Sequence, residues 1–112
     1  MNKRYRVKKN EEFQKIMREG QSFANRQLVI YYLKRDSSFH FRVGLSIGKK
    51  IGNAVKRNYI KRCLRESLNE VGSNIKPNVD FIIIARQPTR SMSYFEIKKS
   101  LNHLLYKTDL FL

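Results

Sequence analysis

The stretch GNAVKRNYIKRCLRE, residues 52–66, predicts a helix with a packing side and a charged side. It carries five Lys and Arg residues, and its one acid is its last residue. Placed at about 100° per residue, residues 53–71 divide into two neighbouring arcs. The apolar arc predicts packing against a β-layer and holds Ile60, Cys63, Leu64, Leu68 and Val71. We call the adjoining arc the basic stripe; its members are Arg57, Asn58, Lys61, Arg62 and Arg65.

The basic stripe lacks the acids that normally accompany bases on a solvated helix, where pairs at i,i+4 stabilise the helix slightly. Residues 37–65 contain eight Lys and Arg and no Asp or Glu. The whole chain has 24 Lys and Arg against 9 Asp and Glu, a net charge of +15. Solubility alone is reached with mixed charge at a lower cost in repulsion. Phosphate relieves this repulsion, and Arg matches its oxygens in pairs, so the stripe predicts a nucleic-acid interface.

Several classes of protein are disfavoured by length and composition. With 112 residues the chain is long enough for one domain and one modest core. Its longest apolar run, residues 28–33, is far shorter than the ~20 residues of a membrane-spanning helix. The basic N-terminus is not followed by the apolar segment of a secretory signal. Cys63 has no partner cysteine, which is typical of a cytoplasmic protein. The two histidines lie far apart in the sequence, so we expect no metal held by the protein. The short apolar run also leads us to expect no membrane partner.

The N-terminal third predicts a helix and then strands. Residues 1–9 carry five basic side chains and predict a mobile or RNA-ordered arm. Asn10 is the expected cap of a helix whose first turn holds Glu11 and Glu12 and whose left-handed terminal residue is Gly20. Residues 28–33 are apolar on both faces and predict a strand, with a bend near Asn25 that divides this region into two strands.

The alternating stretch 39–47 predicts a second strand region, with Phe39, Phe41, Val43, Leu45 and Ile47 on one face. The polar residues 34–38 predict a hairpin turn, so we expect the two regions to pair antiparallel. The β-branched run at residues 80–86 predicts a buried central strand.

Two further helices follow from capping and periodicity. Asn53 is the expected cap of the basic helix, and Gly72 its stop. Ser93 and Glu96 have the spacing of a capping box, before a packing face of Ile97, Leu101, Leu104 and Leu105. The resulting order, αβββαβα, predicts an α+β fold: a single-domain two-layer α-β sandwich whose helices cover one side of a small sheet.

The type of nucleic acid follows from what accompanies the basic helix. A helix-turn-helix reader needs a second helix after a short turn, and this helix is flanked by loops and strands. Seven Phe and six Tyr, with no Trp, are better suited to stacking single strands in a positive groove. Phe13 and Tyr31 are the candidates for stacking. A structural RNA-binding protein of ribosomal type remains the alternative, and a DNA-binding regulator is a third possibility.

Four segments resemble the bacterial ribonuclease P protein subunit, in the right order and over nearly the whole chain. They are NEEFQKIMREGQSFANRQLVIYY (10–32), RVGLSIGKKIGNAVKRN (42–58), KKIGNAVKRNYIKRCLRE (49–66) and DFIIIARQPTRSMSYFEIKKSLNHLL (80–105). The resemblance implies a mixed sheet with a left-handed βαβ crossover, as in the second domain of ribosomal protein S5. It implies a catalytic RNA as partner and precursor tRNA as substrate, whose 5′ leader is removed by hydrolysis. Mg²⁺ held mainly by the RNA supplies the chemistry, and no obligate protein partner is implied.

The resemblance also assigns roles to residues. The RNA-binding set is Lys49, Lys50, Asn53, Arg57, Asn58, Lys61, Arg62 and Arg65. The cleft for the single-stranded leader is lined by Phe13, Met17, Tyr31, Arg57 and Asn58. Tyr59 stands where the motif often has another Arg, so a phosphate contact there is replaced by stacking or lost, and Met17 stands where an aromatic is frequent. No catalytic residue is expected, because the sequence has no His pair and no carboxylate cluster. Glu66 and Glu70 lie one helical turn apart, but two carboxylates at this spacing most often balance nearby charge and are not expected to bind a metal.

Overall fold

The computed structural model describes residues 3–36 and 40–112, and its elements follow the order expected from the sequence. They are α1 (Asn10–Glu19), β1 (Gln21–Ala24), β2 (Leu28–Lys34), β3 (Arg42–Ser46), α2 (Ala54–Val71), β4 (Val79–Ala85) and α3 (Tyr94–Lys107). The α+β class and the order αβββαβα are confirmed. Met1, Asn2 and residues 37–39 lie outside the described residues, and with them the expected place of Phe39 in a strand.

The four strands form one mixed sheet in the order β1-β2-β4-β3. Strand β2 runs antiparallel to both β1 and β4, and β3 runs parallel to β4. The expected hairpin pairing of β2 with β3 is therefore wrong, because β4 lies between them: Ile83 faces Ile30 on one side and Leu45 on the other. β4 occupies the centre because it is apolar on both faces, so only that position buries Phe81, Ile82 and Ile83 together.

The bend predicted near Asn25 is confirmed, and the side chain of Asn25 makes it. Asn25 Oδ1 accepts hydrogen bonds from the backbone N–H groups of Gln27 (3.0 Å) and Leu28 (2.8 Å). This turn separates β1 from β2 and lets them pair antiparallel. The connection from β3 through α2 to β4 is the expected crossover between parallel neighbours; the left hand that the resemblance implies for it stays a prediction.

Helices pack on both faces of the sheet. On one face, Leu28, Ile30, Phe81 and Ile83 join the buried side chains of α2 and α3 in the main core. On the other face, Ile82 packs with Ile16 of α1 and with Val7 in a smaller cluster. Thus α2 and α3 cover one side as expected, whereas α1 lies across the sheet from them. No helix among the described residues is long and apolar enough to cross a bilayer.

The segment before α1, expected as an arm, lies along β3 from residue 3 onward. Val7 is buried, and its backbone N–H donates to the carbonyl of Val43 at 3.0 Å. Tyr5 contacts the rings of His40 and Phe41, with centroid distances of 4.5 and 5.3 Å. These two side chains give the basic segment enough apolar surface to pack, which the count of charges did not reveal.

Both expected ends of α1 need correction. Asn10 is already the first helical residue; Lys9 precedes it, and the backbone N–H of Lys9 donates to Glu12 Oε1. Gly20 ends the helix in extended backbone, with φ −83° and ψ 173°, not in the left-handed region. A Cβ on Gly20 would lie 2.5 Å from the carbonyl oxygens of Ile16 and Tyr32. Glycine is therefore required here for close approach of the chain to β2.

Candidate nucleic-acid interface

The apolar arc of α2 anchors the helix as the sequence predicts. Ile60, Leu64 and Leu68 have no exposed surface and Cys63 is almost fully buried, while Val71 is half-buried against the same core. At the start of the helix, Asn53 Oδ1 accepts the backbone N–H of Lys56 at 2.9 Å. The helix ends at Val71, directly before Gly72. Phase, cap and stop are all confirmed.

The basic stripe stands away from that core and is not neutralised by acids. Asn58 and Arg62 are exposed, and Arg57, Lys61 and Arg65 are half-buried. Within residues 3–36 and 40–112, the ion pairs to acids are made by other cations, namely Arg18, Arg35, Arg42, Lys76 and Lys98. The Nε atoms of Arg57 and Arg65 are buried without a hydrogen-bond partner. Guanidinium groups in this condition favour an anionic ligand.

A groove of about 510 Å³ runs along the basic stripe. It is lined by Arg6, Asn58, Lys61, Arg62, Arg65, Glu66 and Asn69. Burial lowers the pKa of Arg65, and the nearby positive charge of Arg6 lowers it further. Arg6 therefore adds to the stripe from outside α2. The sequence alone assigned Arg6 only to the N-terminal arm. Its neighbour Val7, an apolar residue, is buried beside β3 and so fixes the position of Arg6.

The remaining residues of the expected RNA-binding set lie before the helix. Lys49 and Lys50 are exposed on a short 3₁₀ turn, Lys49–Ile51, and Asn53 is exposed at the helix cap. Ile51 is buried and holds this turn against the core. The two lysines thus continue the positive surface from the start of α2.

The expected leader cleft is divided between two regions. Phe13 and Tyr31 both pack on the small cluster beneath α1, and Met17, one turn after Phe13, is 43% exposed. Gly44 makes room for Phe13, because a Cβ there would lie 2.4 Å from the ring. Arg57 and Asn58 belong to α2, whose buried side chains pack on the other core cluster. The structure brings the aromatic residues together and leaves the two stripe residues on a separate element.

An ion-pair network that the sequence did not reveal fixes α1 over the sheet. Asp80 on β4 is nearly buried and binds Arg42 of β3 and Arg35 beyond β2. Arg42 also binds Glu12 of α1, with Nη1 2.8 Å from Oε2. Burial alone would raise the pKa of Glu12, but the hydrogen bonds from Arg42 and from the Lys9 N–H outweigh it and lower that pKa. The hydrogen bond to Asp80 raises the pKa of Arg42.

Glu70 of α2 has structural partners on α3. The Glu70 carboxylate accepts the hydroxyl hydrogen of Tyr94 at 2.5 Å and pairs with Lys98, so it joins α2 to α3. The hydrogen bond to Lys98 is the main cause that lowers the pKa of Glu70. In the part of the chain that the structure describes, no three His, Cys, Asp or Glu side chains gather as ligands of a metal would.

Comparison with known proteins gives one consistent result. The family model described as Ribonuclease P matches residues 1–109. The ribonuclease P protein component of Oceanobacillus iheyensis is 64% identical over 110 residues, which cover 98% of this chain and 91% of that protein. The protein of the same name from Listeria monocytogenes is 58% identical over 105 residues, covering 94% of this chain and 88% of that one.

Solved structures of the same kind share the fold. The RNase P protein of Staphylococcus aureus superposes with a TM-score of 0.91 at 46% identity, over 96% of this chain and 98% of that chain. The RNase P protein of Thermotoga maritima gives a TM-score of 0.83 at 25% identity, over 91% and 96% of the two chains.

Proposed function

This chain belongs to the ribonuclease P protein family, and from that premise we propose that it is the protein subunit of a ribonucleoprotein that removes the 5′ leader of precursor tRNA. The single observation that carries the proposal is the basic stripe of α2, which presents Arg and Lys side chains without acidic partners. A catalytic RNA supplies the phosphates that this surface requires. The single cysteine is a free thiol, as in a reducing compartment, and we place the assembly in the cytoplasm.

In this proposal the RNA holds the active site and the protein assists it. The RNA binds Mg²⁺ ions, which activate water and stabilise the leaving oxygen at the scissile phosphodiester. The protein contributes electrostatics, because its cations screen RNA phosphates and so favour the binding of Mg²⁺ by the RNA. On α2, the Glu70 carboxylate is engaged by Lys98 and Tyr94 and serves to join α2 to α3.

Substrate recognition is assigned to the cleft beside α1. Phe13, Tyr31 and Met17 offer ring faces and a thioether at the surface of the sheet, suited to unpaired bases of the leader. Mature tRNA has no leader and cannot make these contacts. The protein therefore raises affinity for precursor over mature tRNA, and Arg57 and Asn58 contribute from α2, where they hold RNA backbone.

The decisive experiment combines the chain with its cognate RNA and measures binding of precursor and mature tRNA with and without protein. We expect the protein to tighten precursor binding selectively and to restore 5′ processing at low Mg²⁺. Equal tightening of both tRNAs would overturn leader recognition. Co-purification of ribosomal RNA instead of one RNA species of several hundred nucleotides would favour the structural ribosomal alternative.

A further inference from the structure

We propose that the pocket between the starts of α2 and α3 binds one unpaired base of the partner RNA, stacked on Tyr59. This inference deepens the proposed function, on which it rests, by adding a site outside the basic stripe and the leader cleft. The pocket holds about 650 Å³ and is lined by Asn53, Val55, Lys56, Tyr59, Ser91, Met92, Ser93 and Glu96. That volume lies in the range of pockets that hold small organic ligands.

Tyr59 has the exposure and the fixed position that a stacking residue needs. Its side chain is 38% exposed although it lies on a helix whose next residue, Ile60, is fully buried. Contact with the Cys63 thiol, one turn further along α2, is the main cause that raises the pKa of Tyr59, and the backbone of Tyr94 also contacts its hydroxyl. Tyr59 lines the pocket together with Ser93 and Glu96, so its ring lies at the junction of α2 and α3 and faces the pocket.

A cation accompanies the ring. The Nζ atom of Lys56 lies 5.7 Å from the centre of the Tyr59 ring. The stem of Lys56 packs over Gly52, where a Cβ would lie 3.0 Å from Lys56 Cγ. A base stacked on the aromatic ring brings its phosphate within reach of a flexible ammonium, which is the pairing of ring and cation used by proteins that bind single strands.

The rest of the lining fits a nucleobase. Met92 and Val55 supply apolar contact, and the amide nitrogen of Asn53 and the hydroxyl of Ser91 can meet the polar edge of a base. Glu96 is the acid of the pocket, and its carboxylate already accepts the backbone N–H of Ser93 at 2.9 Å.

The surroundings decide between RNA and protein as the occupant. Lys49 and Lys50 are exposed on a turn that lies against the segment Gln87–Ser91, whose last residue lines the pocket, and Arg62 is exposed three residues after Tyr59. A pocket continuous with this surface is reached by the same RNA that covers the stripe. We therefore assign the occupant as an RNA base and treat a protein ligand as an outcome that would overturn the assignment.

The chain contains no Trp, so Tyr59→Trp creates a single fluorescent reporter at the site. The matched control is Tyr106→Trp, at a position 72% exposed near the end of α3. Both full-length variants are titrated with a short uridine oligonucleotide and with an abasic oligonucleotide that has the same number of phosphates. We expect the uridine strand to quench Tyr59→Trp, the abasic strand to leave it bright, and neither strand to quench Tyr106→Trp. Equal response to both strands, or none to the uridine strand, would overturn the proposal.

Affinity for the cognate RNA gives a second readout. Tyr59→Phe keeps the ring and should bind like wild type, whereas Tyr59→Leu should bind about tenfold more weakly. Tyr106→Leu is the control and should bind normally. If Tyr59→Leu binds the RNA as tightly as wild type and with a normal salt dependence, the base site is refuted but the proposed function is not. Absence of any salt-dependent RNA binding would refute the proposed function itself.

Discussion

Arg42 and Asp80 face each other across β3 and β4 and are joined by two parallel hydrogen bonds, Nε to Oδ1 at 3.0 Å and Nη2 to Oδ2 at 2.7 Å. The remaining Nη1 of Arg42 reaches Glu12 of α1. One guanidinium group therefore links the central strand, the outer strand and α1, the helix that forms one wall of the proposed leader cleft. The position of that wall depends on this group.

Removing the charge of Asp80 should destabilise the fold. Asp80→Asn leaves two half-buried guanidinium groups, those of Arg35 and Arg42, without their common carboxylate. We expect a loss of about 3 kcal/mol in the free energy of unfolding, measured by urea denaturation. Asp36→Asn, the same change at an exposed position, should stay within about 0.5 kcal/mol. Similar losses for both variants would contradict a structural role of the network.

The contact of Glu12 with Arg42 should make stability depend on pH. The pKa of Glu12 is lowered below its ordinary value of 4.5, so its carboxylate stabilises the folded state above pH 4.5. That contribution is lost as pH falls through the lower folded pKa. Urea denaturation of wild type and Glu12→Gln should differ at pH 7 and converge below pH 4.5. Glu11→Gln, at the exposed neighbouring position, should show no such convergence; a gap for Glu12→Gln that is constant with pH would be evidence against the ion pair.

The apolar arc of α2 should behave as core. Leu64 has no exposed surface, so Leu64→Ala should cost about 2–5 kcal/mol of unfolding free energy. Leu112→Ala removes the same atoms from a side chain that is 78% exposed and should have little effect. Equal effects in thermal or urea denaturation would mean that α2 does not pack as described.

The basic stripe should determine the salt dependence of RNA binding. Changing Arg57, Lys61 or Arg65 to Ala should each flatten the plot of log affinity against log salt by about one ion or less. Lys107→Ala, on an exposed turn at the far end of α3, should leave the slope as it is. Unchanged slopes for all three stripe variants would mean that the stripe faces solvent in the complex.

A glycine pair tests the leader cleft without removing any side chain. Gly44→Ala places a methyl group 2.4 Å from the Phe13 ring and must move that ring. We expect weaker binding of precursor tRNA, unaltered binding of mature tRNA, and a stability loss of about 1 kcal/mol because the end of the ring can swing aside. Gly48→Ala meets nothing within 4 Å and is the control. Normal precursor affinity in Gly44→Ala would remove Phe13 from the recognition site.

Local patterns predicted the helices and failed where distant parts of the chain meet. The arcs of α2 and the capping box of α3 could be read directly, because helix periodicity and capping involve residues three or four apart. The antiparallel partner of β2 could not, because the turn signal at residues 34–38 is local while the burial of β4 is a property of the whole sheet. The same limit hid the pairing of Asp80 with Arg42, 38 positions apart.

In the candidate site too, residues on one helix could be predicted from the sequence, whereas contacts between elements could not. The Arg and Lys residues of α2 were recognisable because they share one side of a single helix. Arg6 joins them only through the packing of Val7. Of the residues expected to line the leader cleft, Phe13, Met17 and Tyr31 lie on α1 and β2, whereas Arg57 and Asn58 lie on α2. Residues of one element could be grouped from the sequence, whereas the relation between elements required the fold.

The pairing of Val7 with Val43 has a consequence for how copies of the protein meet. β3 is the last strand of the sheet, and its free side carries backbone groups that could pair with a strand of a neighbouring molecule. The chain's own leading segment occupies that rim at Val43. Shortening the protein past residue 7 should uncover this edge, and we expect such a variant to self-associate more readily than the full chain.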